Sequence, residues 1–220
     1  MSTRNSLSLP LLPLPTGVVF PDMVVTVAVE SAEAKSAVAA AQARATEDAP
    51  VELVVVPKFD GVFSSVGVVV RMEQQGPLPS GSEGILLRAL RRVRVGQGEL
   101  DHDGTLVVSI TELEPASSSP ELDALAEQYR EVTGKLLRLI GGNRMAGLLD
   151  GIDDPGALAD SIGWWPELGE ARRHELFETT AVDKRIAKAL KWAKEALAEA
   201  EVTTSITDDV SNPGAVLEVR

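Results

Sequence analysis

The composition changes abruptly near residue 115, and this change constrains the fold more than any other feature of the sequence. Before it, short Val- and Leu-rich runs are separated by Gly, Pro and Asp; after it come long stretches of Ala, Leu, Glu and Lys. The first kind of run is typical of strands, and the second favours helices. We therefore predict an α+β chain. It has a strand domain over 1–115, a Ser- and Pro-rich linker over 116–120, a helical domain over 121–202 and a flexible tail over 203–220.

The first half is predicted to contain one helix among six strands. The Ala-rich stretch Ser31–Thr46 predicts the helix, with Ser31 as its N-cap. So many short strands over residues 1–115 favour a small closed or nearly closed barrel. The predicted strands are Leu7–Leu14, Val24–Val29, Val51–Val56, Val66–Arg71, Gly84–Val95 and Thr105–Leu113.

The second half is predicted to form a helical bundle. Asp154 and Pro155 are typical of a helix start, and we expect that helix to reach Ile162. Further helices are expected over Glu170–Thr179 and from about Val182 to Val202. In the helix over Glu121–Ile140, apolar residues three or four apart indicate one buried stripe: Leu122, Leu125, Tyr129, Val132, Leu136 and Leu139.

The motifs that carry catalysis or cofactor binding are missing from the sequence. It has no phosphate-binding G-x-x-x-x-G-K-[ST], no G-x-S-x-G and no H-E-x-x-H, and it has no cysteine. With only two histidines, His102 and His174, a zinc site would have to use carboxylates, and the aspartates beside His102 lie on a predicted turn, where adjacent residues rarely converge on one ion. We expect no catalytic residue, cofactor site or metal site. The net charge of −12 argues against nucleic-acid binding, and no run of about 18 apolar residues predicts a membrane span. We expect a cytoplasmic protein without membrane contact.

Two clusters leave alternatives open. The arginines at 88, 91, 92 and 94 could bind RNA, but no aromatic residue lies among them to stack on bases. We favour a solvated strand face beside acidic neighbours. Trp164 and Trp165 could anchor a partner, although we favour packing inside the bundle.

Three motifs resemble the N-terminal region of ATP-dependent Lon proteases, in the family's order and spacing. The first is the Leu-Pro-rich strand Leu9–Leu14 followed by Val18-Val19-Phe20-Pro21-Asp22-Met23-Val24-Val25. The second is Ile152-Asp153-Asp154-Pro155 leading into Leu158-Ala159-Asp160, and the third is Leu176–Ile186 before the last helix. The resemblance covers roughly residues 9–202 and identifies the chain as a relative of the Lon substrate-recognition domain.

This resemblance implies both a fold and a role. The fold would be a PUA-like β-barrel with one inserted helix, followed by an α-helical bundle. The role would be capture of unfolded or degron-bearing proteins for an ATPase and a Ser-Lys peptidase, which would lie beyond residue 220 and use ATP and Mg²⁺. The parent would assemble as a homo-oligomeric ring, whereas this chain would itself be neither an ATPase nor a peptidase. The alternative is a stand-alone PUA-like module that binds RNA or protein without a link to proteolysis.

Apolar residues in predicted loops are the candidate substrate-binding residues. Phe20, Pro21 and Met23 lie at the first turn, and Leu78 and Pro79 lie in a Gly- and Pro-rich loop. A receptor for many sequences needs exposed apolar side chains, and methionine adapts to varied partners. Core packing is the competing interpretation for Phe20 and Met23 in particular.

Overall fold

A computed structural model of the chain describes residues 7–46, 50–113 and 119–211. The chain divides into two compact units. The first contains residues 1–115 and 165–180, and the second contains residues 116–164 and 181–220. The helix predicted over Glu170–Thr179 therefore groups with the strands and not with the helical domain in which the sequence placed it.

The first unit is built on a closed barrel. Its strands are β1 (Leu7–Leu14), β2 (Val24–Ala28), β3 (Glu52–Phe59), β4 (Val62–Phe63), β5 (Val66–Pro77), β6 (Glu83–Leu100) and β7 (Leu106–Glu112). Strand β1 pairs antiparallel with β7 and parallel with β3, so the order β1-β7-β6-β5-β3 returns to β1. Strand β2 adds to β6, and the short β4, which was not predicted, adds to β3. The predicted small barrel is therefore confirmed, and closure pairs both sides of its five ring strands.

The barrel core is made of alternate aliphatic residues from its strands. Helix α1 (Ala32–Arg44) begins after Ser31, whose hydroxyl accepts a hydrogen bond from the Ala34 N–H, as predicted. The helix contacts β1 and β3 and buries its alanine-rich face. Strand β3 is buried on both faces, which explains its uninterrupted valines. The core cluster consists of Leu9, Leu11, Val54, Val56, Val69, Val93, Val108 and Ile110.

Helix α5 spans Glu170–Glu178 and belongs to the first unit. A buried arginine holds it to the barrel. Arg92 on β6 donates a hydrogen bond to the Phe177 carbonyl. Its guanidinium lies 5.3 Å from the Phe20 ring centroid and 5.0 Å from that of Phe177, and the two rings meet edge to face. Ser64 and Ser65 donate to the Glu178 carboxylate. These contacts explain why α5 belongs with the strands.

The second unit is a helical bundle, as predicted. It contains α2 (Pro120–Leu139), α3 (Asn143–Leu149), α4 (Pro155–Asp160), a 3-10 turn (Ser161–Trp164) and α6 (Val182–Ser211). Helix α2 packs along α6, and α4 also contacts α6. The observed order of elements confirms the α+β class. No helix in the described part of the chain is long and apolar enough to span a membrane.

The ends of the bundle differ from the sequence prediction. Ser119 caps α2 and Pro120 is in its first turn, so these two residues belong to the helix and not to a linker. Helix α6 continues to Ser211, so residues 203–211 are helical, whereas the sequence predicted that the last helix ends at about Val202. Linker residues 116–118 and tail residues 212–220 lie outside the described residues. The short α3 was not predicted.

Candidate functional site

Phe20 is a core residue and not an exposed contact. Its side chain is completely buried and packs against Arg92 and Phe177. The prediction that Phe20 offers an exposed apolar surface is therefore wrong. The physical reason is that Phe177 of α5 covers the Phe20 ring, a contact between distant segments that no local pattern predicts.

Pro21 and Met23 lie half-buried in the turn that precedes β2. The turn is fixed to β6, because the Asp22 N–H donates to the Ala89 carbonyl and the Ala89 N–H donates to the Met23 carbonyl. The Met23 Sδ accepts from the Phe20 N–H at 3.4 Å. Both side chains keep part of their surface in solvent.

Leu78 and Pro79 form the turn between β5 and β6. The Leu78 N–H donates to the Ser82 carbonyl, and the Leu78 carbonyl accepts from the Gly81 N–H. Leu78 is half-buried because it lies directly over Gly84, where an added Cβ would come within 2.5 Å of the Leu78 Cδ2. The expectation that nothing covers Leu78 is therefore wrong, whereas Pro79 is exposed.

The predicted binding residues do not converge on one surface. Strand β2 pairs with β6 from Val24 opposite Arg88 to Ala28 opposite Gly84. The turn of Pro21 and Met23 lies at the first end of this pairing, and Leu78 lies at the second. Four residues of extended chain separate the ends by roughly 13 Å.

An apolar groove that the sequence did not reveal lies on the first unit. Its volume is about 340 Å³, and it is bordered by β1, the start of α1 and the β3–β4 and β6–β7 turns. Leu100 is 73% exposed at its edge, and the Lys58 Nζ lies 4.5 Å from the Phe63 ring centroid beside it. Small pockets of this size accept a side chain. The apolar lining comes from Leu11, Pro13, Phe63, Leu100 and Leu106.

The second unit carries a larger set of exposed apolar side chains at the turn between α2 and α3. Leu139 is 38% exposed, Ile140 52%, Met145 43% and Leu148 58%. We call these four residues the α2–α3 patch. The sequence placed Leu139 in the buried stripe of α2, which is wrong: the buried positions are Leu122, Ala126, Tyr129, Thr133, Gly134 and Leu136.

The basic cluster on β6 is largely engaged in contacts within the protein. Arg88 pairs with Glu73, and Arg91 pairs with Glu112 at 2.8 Å. Arg92 is buried under α5. The interpretation that these arginines lie beside acidic neighbours is therefore confirmed for Arg88 and Arg91.

The remaining candidates from the sequence have structural roles. Asp154 caps α4 by accepting from the Ala157 N–H. His174 stacks on Phe59, and His102 lies in the β6–β7 turn. No group of acidic or histidine residues in the described ranges could hold a metal ion. Trp164 is 38% exposed, so the expected packing of the Trp pair is wrong for this residue.

Comparison with known families decides the assignment. The family described as the ATP-dependent protease La (LON) substrate-binding domain matches residues 8–195. The chain belongs to this family. The resemblance carried by the three sequence motifs is therefore confirmed.

Relatives of this Lon-domain chain are several times longer than it is. It is 32% identical to the Lon protease of Mycolicibacterium smegmatis over 203 residues, which cover 92% of this chain and 25% of that protein. It is 34% identical to the Lon protease of Salinispora arenicola over 203 residues, which also cover 92% of this chain and 25% of that protein. The chain thus spans about a quarter of these curated relatives.

Solved structures agree with the Lon assignment. The N-terminal domain of a Mycobacterium avium complex Lon protease superposes with a TM-score of 0.76 at 29% identity, covering 85% of this chain and 98% of that one. The Lon N-terminal domain protein from Xanthomonas campestris has a TM-score of 0.59 at 23% identity and shares the fold.

Proposed function

We propose that this chain captures unfolded or degron-bearing proteins for an ATP-dependent Lon serine protease. The family is described as substrate-binding, and the longer relatives are named Lon protease. Cleavage would belong to the remaining three quarters of such a protein, with an ATPase that uses ATP and Mg²⁺ and a Ser-Lys peptidase. The proposal includes assembly of that parent into a homo-oligomeric ring.

The observation that carries this proposal is the exposure of apolar side chains in both units. A receptor that must bind many sequences cannot rely on one hydrogen-bonding pattern. It binds instead through exposed apolar side chains, which contact the apolar residues that an unfolded client exposes. The α2–α3 patch and the groove beside Leu100 provide such area. A folded protein buries most of its own large apolar residues and gives these surfaces little to bind.

The expected affinity is low. Full burial of one Leu or Ile side chain contributes about 1.5–3 kcal/mol, and the patch residues are already about half buried. Each would then contribute about 1 kcal/mol, before the cost of immobilising the client. Four such side chains sum to about 4 kcal/mol, which corresponds to binding in the high-micromolar to millimolar range at best. Several copies in a ring would strengthen it through effective concentration.

RNA binding has less support. The salt bridges of Arg88 and Arg91 and the burial of Arg92 leave Arg94 as the one arginine of this cluster that is exposed and without a carboxylate partner among the described residues. The chain as a whole has a net charge of −12, which repels phosphate.

A matched pair of ligands tests the proposed function. Fluorescence anisotropy of the labelled chain would be measured with reduced, alkylated α-lactalbumin and with the same protein in its native form. We expect weak, saturable binding of the unfolded form in the high-micromolar to millimolar range and no detectable binding of the native form. Equal binding of both, binding of neither, or tighter binding of tRNA at low salt would contradict the proposal.

A further inference from the structure

The α2–α3 patch differs from the rest of this acidic chain in its charge. Between Val132 and Leu149 the charged residues are Lys135, Arg138 and Arg144, and the nearest acidic residues, Glu131 and Asp150, lie at the two ends of this segment. The chain as a whole carries −12. The exposed apolar residues of the second unit therefore lie in a locally positive segment.

Two of these cations are available to a partner. Lys135 is paired with Glu131 at 2.6 Å. Arg138 and Arg144 are exposed, and neither forms a salt bridge with a carboxylate in the described part of the chain. Arg138 precedes Leu139 in α2, and its guanidinium lies 3.4 Å from the position of a Cβ at Gly134; Arg144 precedes Met145 in α3. Their arrangement differs from that of Arg88 and Arg91, whose charges are already met by glutamates.

We propose that the α2–α3 patch binds client segments in which apolar residues are flanked by Asp or Glu. This inference rests on the proposed function and names the class of segment that one of its surfaces prefers. The apolar residues of the client cover Leu139, Ile140, Met145 and Leu148, and its carboxylates meet Arg138 and Arg144.

Electrostatic complementarity gives this patch selectivity as well as attraction. The acidic remainder of the chain repels an acidic segment, whereas the patch attracts it, so such a client is steered toward one place. A second copy of the chain fits the patch less well. In a two-fold contact of patch on patch, the arginines of both copies would face each other without carboxylates between them.

Three labelled peptides with one apolar core test the preference. They differ only in their flanking residues, which are Asp, Gln or Lys. An exposed ion pair is worth about 0.2–1 kcal/mol, so two pairs should favour the Asp-flanked peptide over the Gln-flanked one by roughly two- to thirtyfold at low salt. The Lys-flanked peptide should bind weakest. The difference in affinity should largely vanish at about 0.5 M salt, because exposed charges then attract each other only over a few ångströms.

Charge reversal with a matched control locates the effect. The double variant Arg138→Glu/Arg144→Glu should invert the order of the Asp- and Lys-flanked peptides. Lys184→Glu/Lys194→Glu changes the net charge equally at exposed positions of α6 and should keep the original order. Leu148→Ser should weaken all three peptides by a similar factor. Circular dichroism melting would verify that each variant is folded.

The possible outcomes separate the two proposals. If the order of peptides is unchanged in the Arg138→Glu/Arg144→Glu variant, the present inference is wrong. It is also wrong if Leu148→Ser has no effect while unfolded α-lactalbumin still binds, and in that case the proposed function survives with a different site. If the patch binds anionic vesicles and shows no preference among the peptides, its partner is a membrane and the present inference is wrong. If sedimentation shows dimers that depend on the patch, its partner is a second copy of the chain and the inference is likewise wrong.

Discussion

Removal of the Asp160 carboxylate should destabilise the helical unit more than almost any other single charge change. Asp160 at the end of α4 and Arg185 on α6 form an ion pair at 2.9 Å, and their side chains are only 4% and 6% exposed. In Asp160→Ala the guanidinium stays buried without this partner. Loss of one member of a buried pair costs about 3–5 kcal/mol, chiefly because the remaining charge cannot be solvated.

A double variant tests whether the loss of stability comes from the unpaired buried charge. Asp160→Leu/Arg185→Met replaces both charges with apolar side chains of similar size, and such replacements are often neutral or stabilising. We therefore expect the double variant to lose much less stability than Asp160→Ala. Asp150→Ala removes an exposed carboxylate and is the control, with an expected effect within about 0.5 kcal/mol.

Urea denaturation followed by helical circular dichroism measures these differences. With a slope of about 2 kcal/mol per molar urea, a loss of 4 kcal/mol moves the midpoint of the helical transition by about 2 M. A loss below about 1 kcal/mol in Asp160→Ala would refute the reasoning. So would a double variant at least as unstable as the single one, because the buried guanidinium would then not be the source of the cost.

Three further predictions follow from burial and hydrogen bonding. Leu136→Ala, at a position 2% exposed, should cost about 2–5 kcal/mol in thermal denaturation, whereas Leu148→Ala should cost less than about 1 kcal/mol; the opposite order would contradict the assigned core of α2. Leu78→Glu should lower the melting temperature measurably because Leu78 packs over Gly84, and Pro79→Glu should not; equal melting temperatures would mean that Leu78 contributes no packing. The pKa of Glu121 lies below its ordinary value of 4.5, because its own backbone N–H and then the Ser119 hydroxyl donate hydrogen bonds to it. Its contribution to stability is thus complete above pH 4.5 and is lost as the pH falls through the lowered folded-state pKa. Ser119→Ala should raise this pKa in a carboxyl NMR titration, and an unchanged value would rule out the cap as a cause.

The local elements of the fold were predictable because their signals are local. Valine runs bounded by turn residues predicted six strands, and Ser31 predicted the start of α1. Barrel closure also followed from the number of short strands. The strand β4 and helix α3 were missed because two and seven residues give too little periodicity to distinguish them from turns.

The candidate surfaces were less predictable, because exposure depends on what covers a residue from elsewhere in the chain. Phe20 looked exposed in a turn, yet α5 covers it from more than 150 positions away. Leu139 continued the apolar spacing of α2 into its last turn, where it remains 38% exposed. Periodicity identifies an apolar face, but it does not identify which part of that face finds a partner.

Mapping the contact surface tests the central claim most directly, namely that exposed apolar side chains of this chain capture unfolded protein. Backbone amide signals of the ¹⁵N-labelled chain would be recorded as reduced, alkylated α-lactalbumin is added. We predict saturable changes in residues 138–148 and around Leu100, and no changes along β6 at Arg88 and Arg91. Changes concentrated at those arginines, or an unchanged spectrum at millimolar concentrations of the unfolded protein, would contradict the account.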